Sequence, residues 1–327
     1  MRSHRYTRTM RKVHVRMSSD LTRRSLLKGA GAAAAGTAAG SAGCLSLVGG
    51  SGKSLTVSSK NFTEQFILSH ISAELLAEAG HDVTDKTGLG GSPANFKALK
   101  NGESSLYWEY TGTAWSSVLG NDEVISDPEK LYEKVDSAYN EQYDIDWLQR
   151  APFNNTYVVV ANPAWADERG IDTLGDLAEY VGSGNTDFSI AMNPEIEERE
   201  DAWAGLPDTY GFADSADEIE TVNMKLGLAY KAVKNGDADL GFGFNTNPKI
   251  KKFDLEVLED PKNHFIIYNP APNVRTEVLT DSLKQTLNEP TSELDTETMR
   301  SLNAAVSIEG KDAKQVAKTF LQDNGFI

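Results

Sequence analysis

Short apolar runs alternate with stretches of helical periodicity from Ser54 onward. Residues 55–59 (LTVSS) read as a strand. Thr63 is placed to cap a helix running to about residue 79, since Leu68, Ile71, Leu75 and Ala79 recur on one face. Gly80 then ends it. A strand near 82–87 and a helix near 93–100 follow. Later strands are predicted at 156–161, 188–192, 219–222, 240–244 and 255–258, and helices at 128–139, 174–181, 227–234 and 296–306. Such alternation predicts α/β layers with parallel sheets.

The pattern repeats itself once. KALKNGESSLYWEY (97–110) and KAVKNGDADLGFGF (231–244) align without gaps, with Lys97/Lys231, Ala98/Ala232, Lys100/Lys234, Asn101/Asn235, Gly102/Gly236 and Leu106/Leu240 identical. Each segment is a helix end, an Asn-Gly stop and a strand closing on an aromatic, Tyr110 or Phe244. Ligands of open α/β sheets sit beyond the carboxyl ends of strands, so two such units would aim two aromatics at one cleft. A common helix–turn–strand idiom with no shared site is the other reading of the same echo.

The N-terminal segment has another pattern. Residues 22–44 read TRRSLLKGAGAAAAGTAAGSAGC, with Arg23 and Arg24 ahead of a weakly apolar Ala/Gly run. This is the twin-arginine arrangement, and the run is too short and too poor in large apolar residues to span a membrane. It ends in Ser-Ala-Gly-Cys44, which resembles a lipobox, so Cys44 is the expected lipidation site and mature N-terminus. Residues 45–53 form a flexible tether. Met17 opens a more ordinary signal peptide than Met1 and is an alternative start. Such a signal exports a folded protein, so the domain is expected outside the cytoplasm, lipid-anchored to the outer face of the cytoplasmic membrane.

Composition narrows the function classes. The 327 residues allow one large domain or two ordinary ones, and 39% hydrophobic with 24% charged residues is a soluble, globular balance. The net charge is −16, yet residues 1–44 hold nine Lys/Arg and one acid. Residues 45–327 therefore carry 23 bases against 47 acids, or −24. That surface repels phosphate backbones and excludes nucleic acid as a partner. It also suits a halophile's salt-stressed surroundings, where charge is screened. Cys44 is the single cysteine, so no intrachain disulfide forms. The five His residues lack metal-ligand spacing, no G-x-S-x-G elbow occurs, and GLGG at 88–91 fits neither Rossmann nor P-loop patterns. No metal or cofactor is implied.

Two features stand out against that background. Arg is scarce after Cys44, with Arg150, Arg169, Arg199, Arg275 and Arg300 alone. Arg199 within EIEERED (195–201) is either a surface ion pair or a carboxylate fork in a cleft. Aromatics are grouped, with Tyr107, Trp108, Tyr110 and Trp115 within nine residues and Trp203 and Tyr210 after Arg199. Core packing is the ordinary use of such groups. Without a catalytic set, they suggest a box of ring faces for a quaternary ammonium, which offers no hydrogen-bond donor.

These residues carry a family resemblance. SSKNFTEQ (58–65) resembles the SKNFTEQ opening of the glycine betaine/carnitine/choline-binding proteins of osmoprotectant ABC importers. KTGLGGSPANFKALKNGESSLYWEYTGTAW (86–115) is similar to that family's KTGLGG…ALKNGEIDLYPEYTGT block. NNTYVVVAN (154–162), IEEREDAWAGLPDTYGF (196–212) and GLAYKAVKNGDADLGFGFNTNPKI (227–250) resemble three later blocks. The likeness runs from about Ser54 to the C-terminus.

The resemblance implies a two-lobed, periplasmic-binding-protein-like clamshell of type II, with two chain crossovers. Residues 54–154 and 245–327 would form lobe one, and 155–244 lobe two. It also implies a monomeric receptor, not an enzyme, that hands quaternary-ammonium compatible solutes such as glycine betaine to an ABC permease. By motif, Tyr110, Tyr157 and Phe244 match box positions, and Lys60, Thr113 and Arg199 match carboxylate-binding positions, contributed by opposing lobes. Phe244 replaces the usual Tyr and keeps its π face without the hydroxyl. FNTNP (244–248) replaces YSTDG, and Ala202 replaces the Gly of R-x-D-G. Val222 stands where some members place a further box aromatic, with Trp203 and Tyr210 the candidates to replace it. Choline or a non-quaternary solute is the alternative ligand. An extracellular hydrolase, or a sensory surface protein that lost binding, are the rival classes.

Overall fold

The computed structural model describes residues 54–121 and 123–327. The predicted signal with Arg23 and Arg24, the lipidation residue Cys44, the alternative start Met17 and the tether 45–53 lie outside them. The described strands are β1 (Leu55–Ser58), β2 (Val83–Lys86), β3 (Leu106–Tyr110), β4 (Ile145–Trp147), β5 (Tyr157–Ala161), β6 (Ser189–Met192), β7 (Glu220–Asn223), β8 (Leu240–Phe244), β9 (Glu256–Val257) and β10 (Pro270–Arg275). They form two five-stranded sheets, ordered β2-β1-β3-β10-β4 and β7-β6-β8-β5-β9. Each sheet is the floor of one lobe of a type II clamshell.

The sheets are mixed, where strand–helix alternation predicted parallel ones. β1, β2 and β3 run parallel, as do β6, β7 and β8, but β10 and β5 each run antiparallel to both neighbours. The cause is the crossover. The chain enters β5 and β10 from the other lobe, at the cleft edge, and must run away from it, whereas β3 and β8 run towards it. β10 carries no strand signal along the chain, because Pro270 and Pro272 are poor strand residues. Their carbonyls nevertheless accept bonds from the Ala151 and Leu148 N–H groups at 2.8 and 2.9 Å.

The sequence echo occupies equivalent places in the two lobes. The helices Ser92–Lys100 and Leu226–Asn235 both close on Asn-Gly, and Gly102 and Gly236 share a φ of 76°. Each leads into the central strand of its sheet, β3 or β8.

The helix Thr63–Glu78 differs from its expected one-faced form. Phe62 is its N-cap and Thr63 its first residue. Ala79 is exposed, and buried positions lie around much of the circumference, including Gln65, Ser69 and Ser72 beside Leu68, Ile71 and Leu75. The helix is wedged between its sheet and the helices Asp281–Asn288, Thr296–Ser307 and Ala313–Asp323. Burial on several sides leaves no polar face to give an amphipathic signal.

The first crossing runs at 153–156. The second does not lie at 245. β9 still pairs with β5, and Leu258 and Phe265 pack in the second lobe's core, so the chain returns at 266–269. The two crossings run side by side. Asn155 N–H donates to Tyr268 O at 3.1 Å, Tyr268 N–H to Asn154 Oδ1 at 2.7 Å, and Thr156 Oγ1 to Ile266 O at 2.6 Å. Two hydrogen-bonded strands make a narrow joint about which the lobes can swing.

Candidate functional site

A cleft of about 760 Å³ opens between the lobes at the ends of β3 and β8. Lys60, Tyr110, Thr113, Tyr157, Arg199 and Phe244 all line it, beside Phe62, Glu64, Asn155 and Tyr268 from outside the predicted set. Trp203 and Tyr210 do not. Trp203 packs edge-on against Phe242 in the second lobe's core, and the Tyr210 hydroxyl donates to Asp260. Val222 lies on the outer strand β7, away from the cleft lining.

On the first lobe, β3 delivers Tyr110 as its last residue. Its hydroxyl donates to Glu64 Oε1 at 2.6 Å. The Phe62 ring stacks near it, with centroids 6.3 Å apart at 20°. Burial and the Glu64 carboxylate hold the Tyr110 hydroxyl protonated far above the ordinary tyrosine range. Thr113 ends the single helical turn Thr111–Thr113 that follows β3. Gly112 lets that turn press on the second crossing, since a Cβ there would stand 2.6 Å from Ile267 O.

On the second lobe, Tyr157 and Phe244 are register partners of β5 and β8. Their rings stack with centroids 5.1 Å apart at 23°. Tyr230 fixes the strand end by accepting the Phe244 N–H at 2.6 Å. It reaches that bond because Gly243 lacks a Cβ, which would stand 2.1 Å from the Tyr230 oxygen. Tyr268, on the second crossing, supplies a fifth ring, its hydroxyl pushed by burial up to about 12. Neutral ring faces from both lobes and the joint can hold a diffuse cation, each contributing about 0.5–2 kcal/mol when desolvated.

The expected anion clamp is built differently from its motif. Lys60, 5% exposed, places its ammonium on the fully buried Glu109 carboxylate and on Ser92 Oγ at 3.1 Å. It also lies 4.4 Å from the Tyr110 ring centroid. Arg199 grips Asp201 with both arms of its fork, Nε to Oδ1 at 2.7 Å and Nη2 to Oδ2 at 2.6 Å, and lies 5.7 Å over the Tyr157 ring. A ligand carboxylate therefore has to compete with Asp201 for Arg199, and meets Lys60 already paired. Neither the rings nor the cations belong to one lobe.

Among the lining residues that sequence reasoning does not single out are Phe62, Glu64, Asn155 and Tyr268. Phe62 and Glu64 stand inside the SSKNFTEQ motif, and Asn155 inside NNTY, so their motif membership was the signal. Tyr268 lies on the second crossing, which no periodicity marked. The partners Glu109 and Asp201 follow from backbone turns and long-range pairing.

Residues 53–323 match the family model of the substrate-binding domain of ABC-type glycine betaine transport systems. A glycine-betaine-binding protein of Pseudomonas aeruginosa is 35% identical over 283 residues, covering 84% of this chain and 89% of the relative. The chemotactic signal transduction system substrate-binding protein CosB of Halobacterium salinarum is 32% identical, covering 84% and 85%. The structure of apo YehZ from Escherichia coli superposes with a TM-score of 0.75 at 29% identity, over 84% of this chain and all of that one.

Proposed function

Because the chain belongs to the family of substrate-binding domains of ABC-type glycine betaine transport systems, we propose that its cleft captures a quaternary-ammonium compatible solute, glycine betaine or a relative. The observation that carries this reading is the convergence of Phe62, Tyr110, Tyr157, Phe244 and Tyr268 on one cleft. Such rings suit a cation that has shed its water and cannot donate hydrogen bonds. The chain binds and releases without chemistry. Ligand contacts from both lobes favour the closed form, and that form docks to the permease. The chemotactic relative favours a second reading, in which the closed form reports to a signalling partner instead.

Calorimetric titration of residues 45–327 in molar salt, with glycine betaine and with choline, tests the reading. Binding of at least one is expected, and a folded sample that binds neither would refute it. Arg199→Ala should weaken betaine more than choline, because only betaine brings a carboxylate to replace Asp201. Equal losses would remove Arg199 from the clamp.

We further propose that Cys44 anchors the receptor at the outer face of the membrane. Cys44→Ser should move the protein from the membrane fraction to the soluble fraction on centrifugation. Unchanged sedimentation would refute the anchor.

A further inference from the structure

We propose that Glu64 makes this cleft selective for a net cation, so that a choline-like ligand binds more tightly than its zwitterionic carboxylate counterpart. This rests on the quaternary-ammonium reading above. Glu64 is the carboxylate that lines the cleft among the described residues, and it is 3% exposed. Its oxygens accept from three neutral donors. Oε1 takes the Tyr110 hydroxyl at 2.6 Å and Asn155 Nδ2 at 3.0 Å, and Oε2 takes Asn303 Nδ2 at 3.0 Å. These come from β3, the first crossing and the helix Thr296–Ser307. No described Lys or Arg forms a salt bridge with it.

The surrounding charges make that isolation matter. Lys60 and Arg199 are each answered by a carboxylate of the chain, Glu109 and Asp201. Lys249 also lines the cleft, but its ammonium is turned onto Gly227 O in an exposed bond, where solvent screens it. Glu64 is left as a cleft-lining carboxylate that no described cation of the chain pairs with, in a desolvated setting where charge acts over longer range. It also acts through Tyr110. A phenol donating to a carboxylate gains electron density, which strengthens the ring face for a cation. A zwitterion brings its own carboxylate into this cleft and loses part of that attraction.

The inference carries a proton signature. Burial pushes the Glu64 carboxyl above the usual glutamate value, and the hydrogen bonds from Tyr110, Asn303 and Asn155 only partly offset this. A bound cation favours the ionised form, so binding releases protons, and affinity falls as pH drops through that raised value. The groups around this part of the cleft are the Tyr110 hydroxyl, the Lys60–Glu109 pair with Lys60 Nζ 4.4 Å from the Tyr110 ring centroid, Tyr268, and Arg300, which is bonded to Asn245 at 2.6 Å and to Glu297 at 3.1 Å. No histidine is among the described lining residues.

The test is titration of the parent and of Glu64→Gln with choline and with glycine betaine, at about pH 5 and about pH 7.5, in buffers of different ionisation enthalpy. The parent should prefer choline by about tenfold or more, release protons on binding it, and lose affinity at the lower pH. Glu64→Gln should lose most of that preference and the proton release. Proton release by the parent needs no variant, so the inference stays testable if Glu64→Gln unfolds. A parent that binds betaine as tightly as choline, or choline binding without proton release, would overturn the role of Glu64 alone. A parent that binds neither amine would overturn the ligand class and this inference with it.

Discussion

Replacing Glu109 by Ala lowers the unfolding temperature by about 10 °C, the largest stability effect expected of a single side chain here. Glu109 is fully buried on β3 and takes the Lys60 ammonium, the Tyr110 N–H at 2.8 Å and the Tyr107 hydroxyl at 3.3 Å. Removing it strands an ammonium that is 5% exposed. Uncompensated buried charges of this kind cost about 3–5 kcal/mol. The pair itself is not a large net gain, because both ions were desolvated to make it. A double replacement, Lys60→Met with Glu109→Ala, should therefore recover much of the loss. Thermal unfolding of the two single variants and the double variant decides this. A Glu109→Ala cost below about 1 kcal/mol, the size of a surface pair, would show that Lys60 is not held as described. The double variant also isolates function. If Lys60 acts only to support Tyr110, betaine affinity should survive the loss of both charges.

Tyr110→Ala is expected to weaken choline and betaine alike, by about 3- to 30-fold, the value of one desolvated ring face. Both ligands present the same ammonium to the ring, so the ratio of the two affinities should hardly move. The same change empties a buried aromatic position and takes a donor from Glu64. Loss of a core aromatic costs about 3–5 kcal/mol, so unfolding must be measured beside binding. Tyr110→Phe separates the two roles. It keeps the ring and removes the donor, leaving one Glu64 lone pair without its partner at a cost of about 1–3 kcal/mol. Tyr110→Phe should retain most affinity for both amines while losing stability. Unchanged binding in a folded Tyr110→Ala sample would remove this ring from the box.

The elements and the site were legible to different depths. Strands at 156–161, 188–192 and 240–244 were readable because short β-rich runs stand between helical stretches and turn residues. The central strands β3 and β8 were readable twice, once by pattern and once by the Asn-Gly echo, because both lobes need the same stop before the same strand. β10 was not, since Pro270 and Pro272 speak against a strand and only the neighbours β3 and β4 make it one. The helix Thr63–Glu78 is legible but its burial is not, because burial from several sides is a property of the assembled lobe. The second crossing lies at 266–269 and not at 245, since nothing local along the chain marks the return.

Motif carry-over named six cleft-lining residues, and all six line one cleft. Trp203 and Tyr210 were drawn in by residue type near Arg199, and packing put both in the second lobe's core. Residue types at motif positions determined by themselves that rings and cations belong to this chain's cleft. The tertiary structure alone decided which charges stay available there. Lys60 meets Glu109 across 49 positions of sequence, and Glu64 meets Asn303 across 239. Pairing over such separations depends on how two sheets and their helices close in space, and no local pattern along a chain encodes a contact of that range.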